Sequence, residues 1–153
     1  MASSKKELNA SLTSLENTLK VYFVDKAPFQ LPPAAKEFIV QFGPWITLVL
    51  LILALPVLFA ALGLTAFLTP FAAMDGGRSG IGLLGIVLSI IALVLEAMAL
   101  PGLFRRSKSG WNLLFYSTIV SAVDNLVNLN IAGLVVGLLI GWYFLFQVRS
   151  YYK

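Results

Sequence analysis

The sequence predicts an all-α membrane protein: a bundle of four transmembrane helices preceded by an amphipathic, interfacial helix. Three observations predict it. Apolar residues make up 59% of the 153-residue chain and charged residues only 12%, against about 25% charged in soluble domains. No charged residue stands between Glu37 and Asp75, and a soluble domain of this size exposes too much surface to hide such a run. Ile81–Phe104 is almost wholly apolar and long enough to cross a bilayer as a helix.

Residues 1–43 read as the appended part, an amphipathic helix and a Pro-rich linker on the cytoplasmic or interfacial side. Ser4 and Glu7 match a capping box, which satisfies free N–H groups at a helix start. Leu8, Leu12, Leu15, Leu19 and Tyr22 follow at spacings of four and three, so the helix over 4–25 has one apolar face. That face has three outlets: the membrane interface or the rest of the chain, a second copy, or a foreign partner. Ala27–Pro33 is a stiff linker because Pro28, Pro32 and Pro33 fix φ and lack an N–H. Pro33 suits the first position of a short helix, Ala34–Gln41.

Residues 44–153 read as the transmembrane domain, with crossings at about 45–68, 81–104, 111–127 and 131–148. Trp45 opens the first at the depth where indole rings prefer to sit. Pro56 is expected to kink it, and Thr69-Pro70 to end it before a glycine-rich loop, Asp75–Gly80. In the second crossing Gly82, Gly85, Ser89, Ala92 and Glu96 share one face. Small residues there let helix backbones approach where lipid supplies no hydrophobic drive. Pro101 is expected to break the last turn. The third begins at Trp111, read as another interfacial aromatic, and the turn formers Asn125–Asn130 reverse the chain. The fourth carries Gly133, Gly137 and Gly141, a glycine zipper whose close-packing face serves either this chain or a second copy.

With four crossings, Lys5, Lys6, Lys20, Lys26, Lys36, Arg105, Arg106, Lys108, Arg149 and Lys153 fall on one side and only Arg78 on the other. Short basic flanks stay cytoplasmic, so both termini are expected there, in a multi-pass protein of the cell membrane. Three crossings would send Arg149 and Lys153 outward.

Few residues offer chemistry. Cysteine and histidine are absent, which removes disulfides, thiol nucleophiles and thiolate or imidazole metal sites. The glycines near 76–82 lack the strand-then-helix setting of a nucleotide site. The chain therefore reads as non-enzymatic, with no metal or cofactor implied and no nucleic-acid partner. Glu96 is the sharpest exception. It lies nine residues before Arg105, about 13 Å from the helix end, and no crossing holds a basic residue to pair with it. It must be protonated, reach water or hold a cation, and Ser117 or Ser121 is the expected hydrogen-bond partner. Ser117, Ser121, Asp124 and Asn128 recur at four, three and four and form a polar stripe. With Glu96 they make a candidate proton or cation site, a half-channel open to the outside, or a hydrogen-bonded packing face. Asp124 suits a structural role at the turn.

The opening Trp111-Asn-Leu-Leu-Phe-Tyr and the ending Tyr143-Phe-Leu-Phe-Gln-Val-Arg-Ser-Tyr-Tyr-Lys153, together with SLENTLKVY and PWITLVLLILALP, carry a resemblance. The chain resembles a group of short, uncharacterised four-span membrane proteins of minimal uncultured bacteria. The resemblance implies a bacterial cytoplasmic membrane and no particular activity or site residue. The sequence thus points to an accessory, scaffold or self-associating membrane component, whose partners are the bilayer and a second copy or another membrane protein. The alternative is a small proton- or cation-coupled transporter or channel using Glu96.

Overall fold

The computed structural model describes residues 2–72 and 79–153, with side chains described at 4–64, 66–67 and 84–153. The first four residues of the expected loop, Asp75–Arg78, and the packing of Gly82 lie outside the described residues. Every regular element within them is helical. They run α1 Ala2–Lys20 with a π turn Val21–Asp25, α2 Pro33–Ala72, α3 Ser79–Phe104, α4 Lys108–Val127, α5 Ile131–Val136, a π segment Gly137–Gly141, α6 Trp142–Gln147 and a 3-10 turn Arg149–Tyr151. Three helical stretches are long and apolar enough to cross a membrane: Pro33–Leu64, Leu84–Phe104 and Ile131–Tyr151.

Nothing before Ser4 breaks a helix, so α1 begins at Ala2 and Ser4 lies inside it rather than capping it. The Lys26 N–H donates to the Val21 carbonyl at 2.8 Å and closes the π turn. The chain then bends at Lys26, Pro28 and Phe29 and has no regular structure until Pro33. The Pro32 carbonyl accepts from the N–H groups of Ala35 at 2.9 Å and Lys36 at 3.1 Å, which starts α2.

The expected short helix and first crossing are one element of 40 residues, about 60 Å long. Neither Gly43-Pro44 nor Pro56 interrupts it, and it continues past Thr69-Pro70 to Ala72. A proline removes one ladder bond, whereas ending the helix in lipid would strand a whole set of backbone groups. For the same reason α3 runs through Pro101 to Phe104.

The α3–α4 turn is tight. Arg106 takes φ 52°. The Ser107 N–H donates to the Gly102 carbonyl at 2.8 Å, and its Oγ accepts from Gly110 N–H at 3.3 Å. The backbones of Gly102 and Gly110 touch: a Cβ at Gly102 would lie 2.6 Å from the Gly110 Cα. Neither glycine stands out in the spacing pattern of its helix. At the far end α4 continues to Val127, so the reversal shortens to 128–130, with Leu129 at φ 53°. Asn130 Oδ1 accepts from Gly133 N–H at 3.0 Å and starts α5.

The core gathers at one end, around Val40, Ala99, Leu103, Trp111, Phe115, Leu145 and Phe146. Trp111 is wholly buried there. Its Nε1–H donates to the Leu145 carbonyl at 2.9 Å, one of the carbonyls that the end of α6 leaves without a helical partner. The residues flanking the helices converge on this core. Phe23 stacks on Phe146 with centroids 6.2 Å apart, Gln147 Nε2–H donates to the Phe23 carbonyl at 3.0 Å, and Glu16 pairs with Arg149. Glu37 pairs with Arg106 at 2.6 Å. Lys108 N–H donates to the Lys153 carbonyl at 2.8 Å, and Lys153 N–H to Arg106 at 3.0 Å. The α1 seam divides: Leu19 packs on the core, while Leu8, Leu15 and Tyr22 stay exposed.

These contacts predict a contrast between glycines. Gly102→Val forces backbones apart and should cost about 1–3 kcal/mol or more. A Cβ at Gly137 meets nothing within 4 Å, so Gly137→Ala should be neutral or stabilising by up to about 1 kcal/mol. Reversible unfolding in mixed micelles checks both.

Candidate functional site

α3 and α4 are antiparallel and in strict register. Gly102 lies on Gly110 and, at the other end, Gly85 lies on Asn128, where a Cβ would come 2.8 Å from the Asn128 amide nitrogen. Between them Glu96 meets Ser117 and Ser89 meets Asp124. The small-residue face of α3 and the polar stripe of α4, each legible in the sequence, therefore face one another. Both repeat at three and four residues, so they stay matched over the whole pair.

The polar groups are partnered across this seam or within α4. Ser89 Oγ–H donates to Asp124 Oδ2 at 2.9 Å, and Asn128 Nδ2–H donates to Asp124 Oδ1 at 2.7 Å. Asn125 Nδ2–H donates to the Ser121 carbonyl at 2.8 Å. Ser117 is fully buried; its hydroxyl donates to the Leu114 carbonyl at 2.8 Å and its oxygen also meets the Glu96 carboxyl. Trp142 Nε1–H donates to Thr118 Oγ1 at 2.9 Å and ties α6 to the adjacent face of α4.

A cleft of about 350 Å³ opens between this pair and α2. Ser89, Glu96, Ser121 and Asp124 supply its polar wall, and Ala54, Val57, Leu58 and Ala61 of α2 its apolar one. The α2 wall follows a three-four-seven spacing that is present in the sequence. Of the candidate residues, Glu96, Ser121 and Asp124 share the cleft, while Ser117 lies behind it and Asn128 at its exposed end. Glu96 and Asp124 are separated by seven residues in register, about 10 Å along the axis, so they do not chelate one ion between them. Among the described residues no three Asp or Glu side chains gather as metal ligands.

The glycines of the fourth apolar run part company. Gly133 packs on the side chains of Asn125 and Asn130, leaving no room for a Cβ, whereas Gly137 and Gly141 have open space where a Cβ would point. The expected close-packing face is thus used within the chain only at Gly133.

Comparison of the chain with protein-family models, curated proteins and solved structures returns no match.

The seam predicts coupling between Ser89 and Asp124. A double-mutant cycle with Ser89→Ala and Asp124→Leu should give about 0.6 kcal/mol, the average for hydrogen bonds between membrane helices, and at most about 1.7 kcal/mol. Unfolding in bicelles measures it, and an additive pair would contradict the bond.

Proposed function

We propose that this protein is a four-crossing component of the cytoplasmic membrane, with both termini in the cytoplasm, that acts without catalysis by associating with other membrane helices. The observation that carries this reading is the state of α2. Among the described residues none of its most apolar stretch is buried, and Trp45, Val49, Ile52, Val57 and Phe59 among others are exposed along it. A bare apolar surface of this length is solvated by lipid or covered by another helix.

The four-crossing count is supported by register. α4 accompanies α3 from Gly110 to Asn128, so it covers the same membrane depth. Its hydropathy is lowered by a stripe that faces α3 and not lipid. An even count matches the meeting of the amino-terminal segment, the Arg105–Lys108 turn and Lys153 at one end. That end gathers the basic residues expected inside.

Two measurements test the reading. The chain has no cysteine, so single substitutions report position cleanly. Ser4→Cys, Ser109→Cys and Ser150→Cys should label from the cytoplasmic side and Ile131→Cys from the other. In vesicles, single-molecule photobleaching should show association that rises with protein-to-lipid ratio, and a chain that stays monomeric at every ratio overturns the role.

The cleft favours a second reading, a proton or cation site. Glu96, Ser121 and Asp124 share its polar wall. Under this reading Glu96→Gln, which keeps the shape and removes the exchangeable acid, abolishes proton- or cation-dependent flux into liposomes. Under the first reading it leaves association unchanged.

A further inference from the structure

The basic end holds a cavity of about 290 Å³ whose walls include Lys20, Lys36, Lys108, Gln147, Arg149 and Ser150 and, among the described residues, no acid. That volume is near the lower bound of small-ligand sites, ~300 Å³. Two residues that line it also have a buried side-chain atom without a hydrogen-bond partner: Arg149 its Nε and Gln147 its Oε1. Gln147 is only 2% exposed. Its Nε2–H is committed to the Phe23 carbonyl, which fixes the orientation of the amide and leaves Oε1 as an acceptor. Arg149 is held in place by Glu16 and lies over the Trp111 ring at 5.4 Å. Among the described residues no carboxylate pairs with Lys20, Lys36 or Lys108. Burial keeps the Tyr152 phenol, also on the wall, above its ordinary pKa, with Arg106 opposing the shift only in part. That ring therefore adds no negative charge.

The requirements are specific. Three unpaired ammonium groups and a buried guanidinium N–H call for an anion with several acceptor oxygens. The stranded Gln147 oxygen calls for a hydroxyl donor on the same ligand, because a buried acceptor left unmade is costly. A bare phosphodiester meets only the first demand. We propose that this cavity binds a phosphate ester bearing free hydroxyls, the chemistry of a phosphoglycerol group, with phosphate on the lysines and Arg149 and a glycerol hydroxyl donating to Gln147. Two sources share this chemistry, the headgroup of phosphatidylglycerol and soluble glycerol phosphate. The lipid source rests on the proposal that this end lies at the membrane surface; the cavity's chemistry does not.

Native mass spectrometry of the detergent-solubilised protein, with lipids added at equal concentration, separates these terms. Phosphatidylglycerol should be retained about tenfold more than phosphatidylcholine, and Lys36→Gln with Lys108→Gln should remove that advantage. Phosphatidylethanol has the same charged diester without headgroup hydroxyls, and should be retained several-fold less than phosphatidylglycerol. Gln147→Leu should erase this second difference, and the lipid pair tests it on the unaltered chain if that variant does not fold. Glycerol phosphate that displaces phosphatidylglycerol at equal concentration assigns the site to the soluble ester, and failure to displace assigns it to the lipid. Equal retention of phosphatidylglycerol and phosphatidylcholine, or of phosphatidylglycerol and phosphatidylethanol, overturns the proposal. The labelling experiment above is independent, so a wrong topology and a wrong ligand are told apart.

Discussion

The structure depends on the direct contact of two helix backbones, Gly102 of α3 on Gly110 of α4. That contact sets the register of the antiparallel pair, and the register decides which side chains meet further along. A shift of one residue would move Glu96 off Ser117 and Ser89 off Asp124. In an apolar medium those groups have no water to fall back on. Packing of the glycines and satisfaction of the polar seam therefore select the same alignment.

From that fixed pair the rest follows in layers. The tight turn at Arg106–Ser107 presents backbone groups to the carboxyl terminus, and Lys153 pairs with them. This places the last helical run against α4, where Trp142 meets Thr118 and Trp111 meets Leu145. The aromatic core of Trp111, Phe115 and Phe146 then offers a platform on which Phe23 stacks. Glu16 and Glu37, ahead of and behind the linker, reach Arg149 and Arg106. Charge, ring stacking and backbone pairing thus concentrate at one end, and the opposite half of the bundle is held by the α3–α4 seam and the asparagine reversal.

α2 is the outlier. Below its first turns it leans on α3 across the cleft that contains Glu96, and most of its surface faces outward. The contrast between a locked α3–α4 pair and a loosely seated α2 is what makes the cleft and the α2 surface the two functional candidates. The basic cavity adds a third, with three lysines that no carboxylate among the described residues pairs.

The sequence by itself determined the apolar runs, the linker, the polar stripe of α4, the small-residue face of α3 and the gathering of basic residues between the runs. Each is a short-range pattern, in which composition or a spacing of three and four residues carries the information. It misjudged the prolines at 70 and 101 because their local preference is to end a helix, while an unbroken ladder is worth more over a whole apolar span. The burial of Trp111 was not legible either, because an indole by itself does not show which carbonyl its N–H will find. Only the tertiary structure decided that Gly102 and Gly110 meet while Gly137 and Gly141 do not, and that Glu96 takes Ser117. It also decided that Gln147 and Arg149 keep unpartnered atoms beside three lysines. These facts depend on which of several equally spaced faces is turned toward which neighbour, and that choice is made by close packing between segments far apart in the chain.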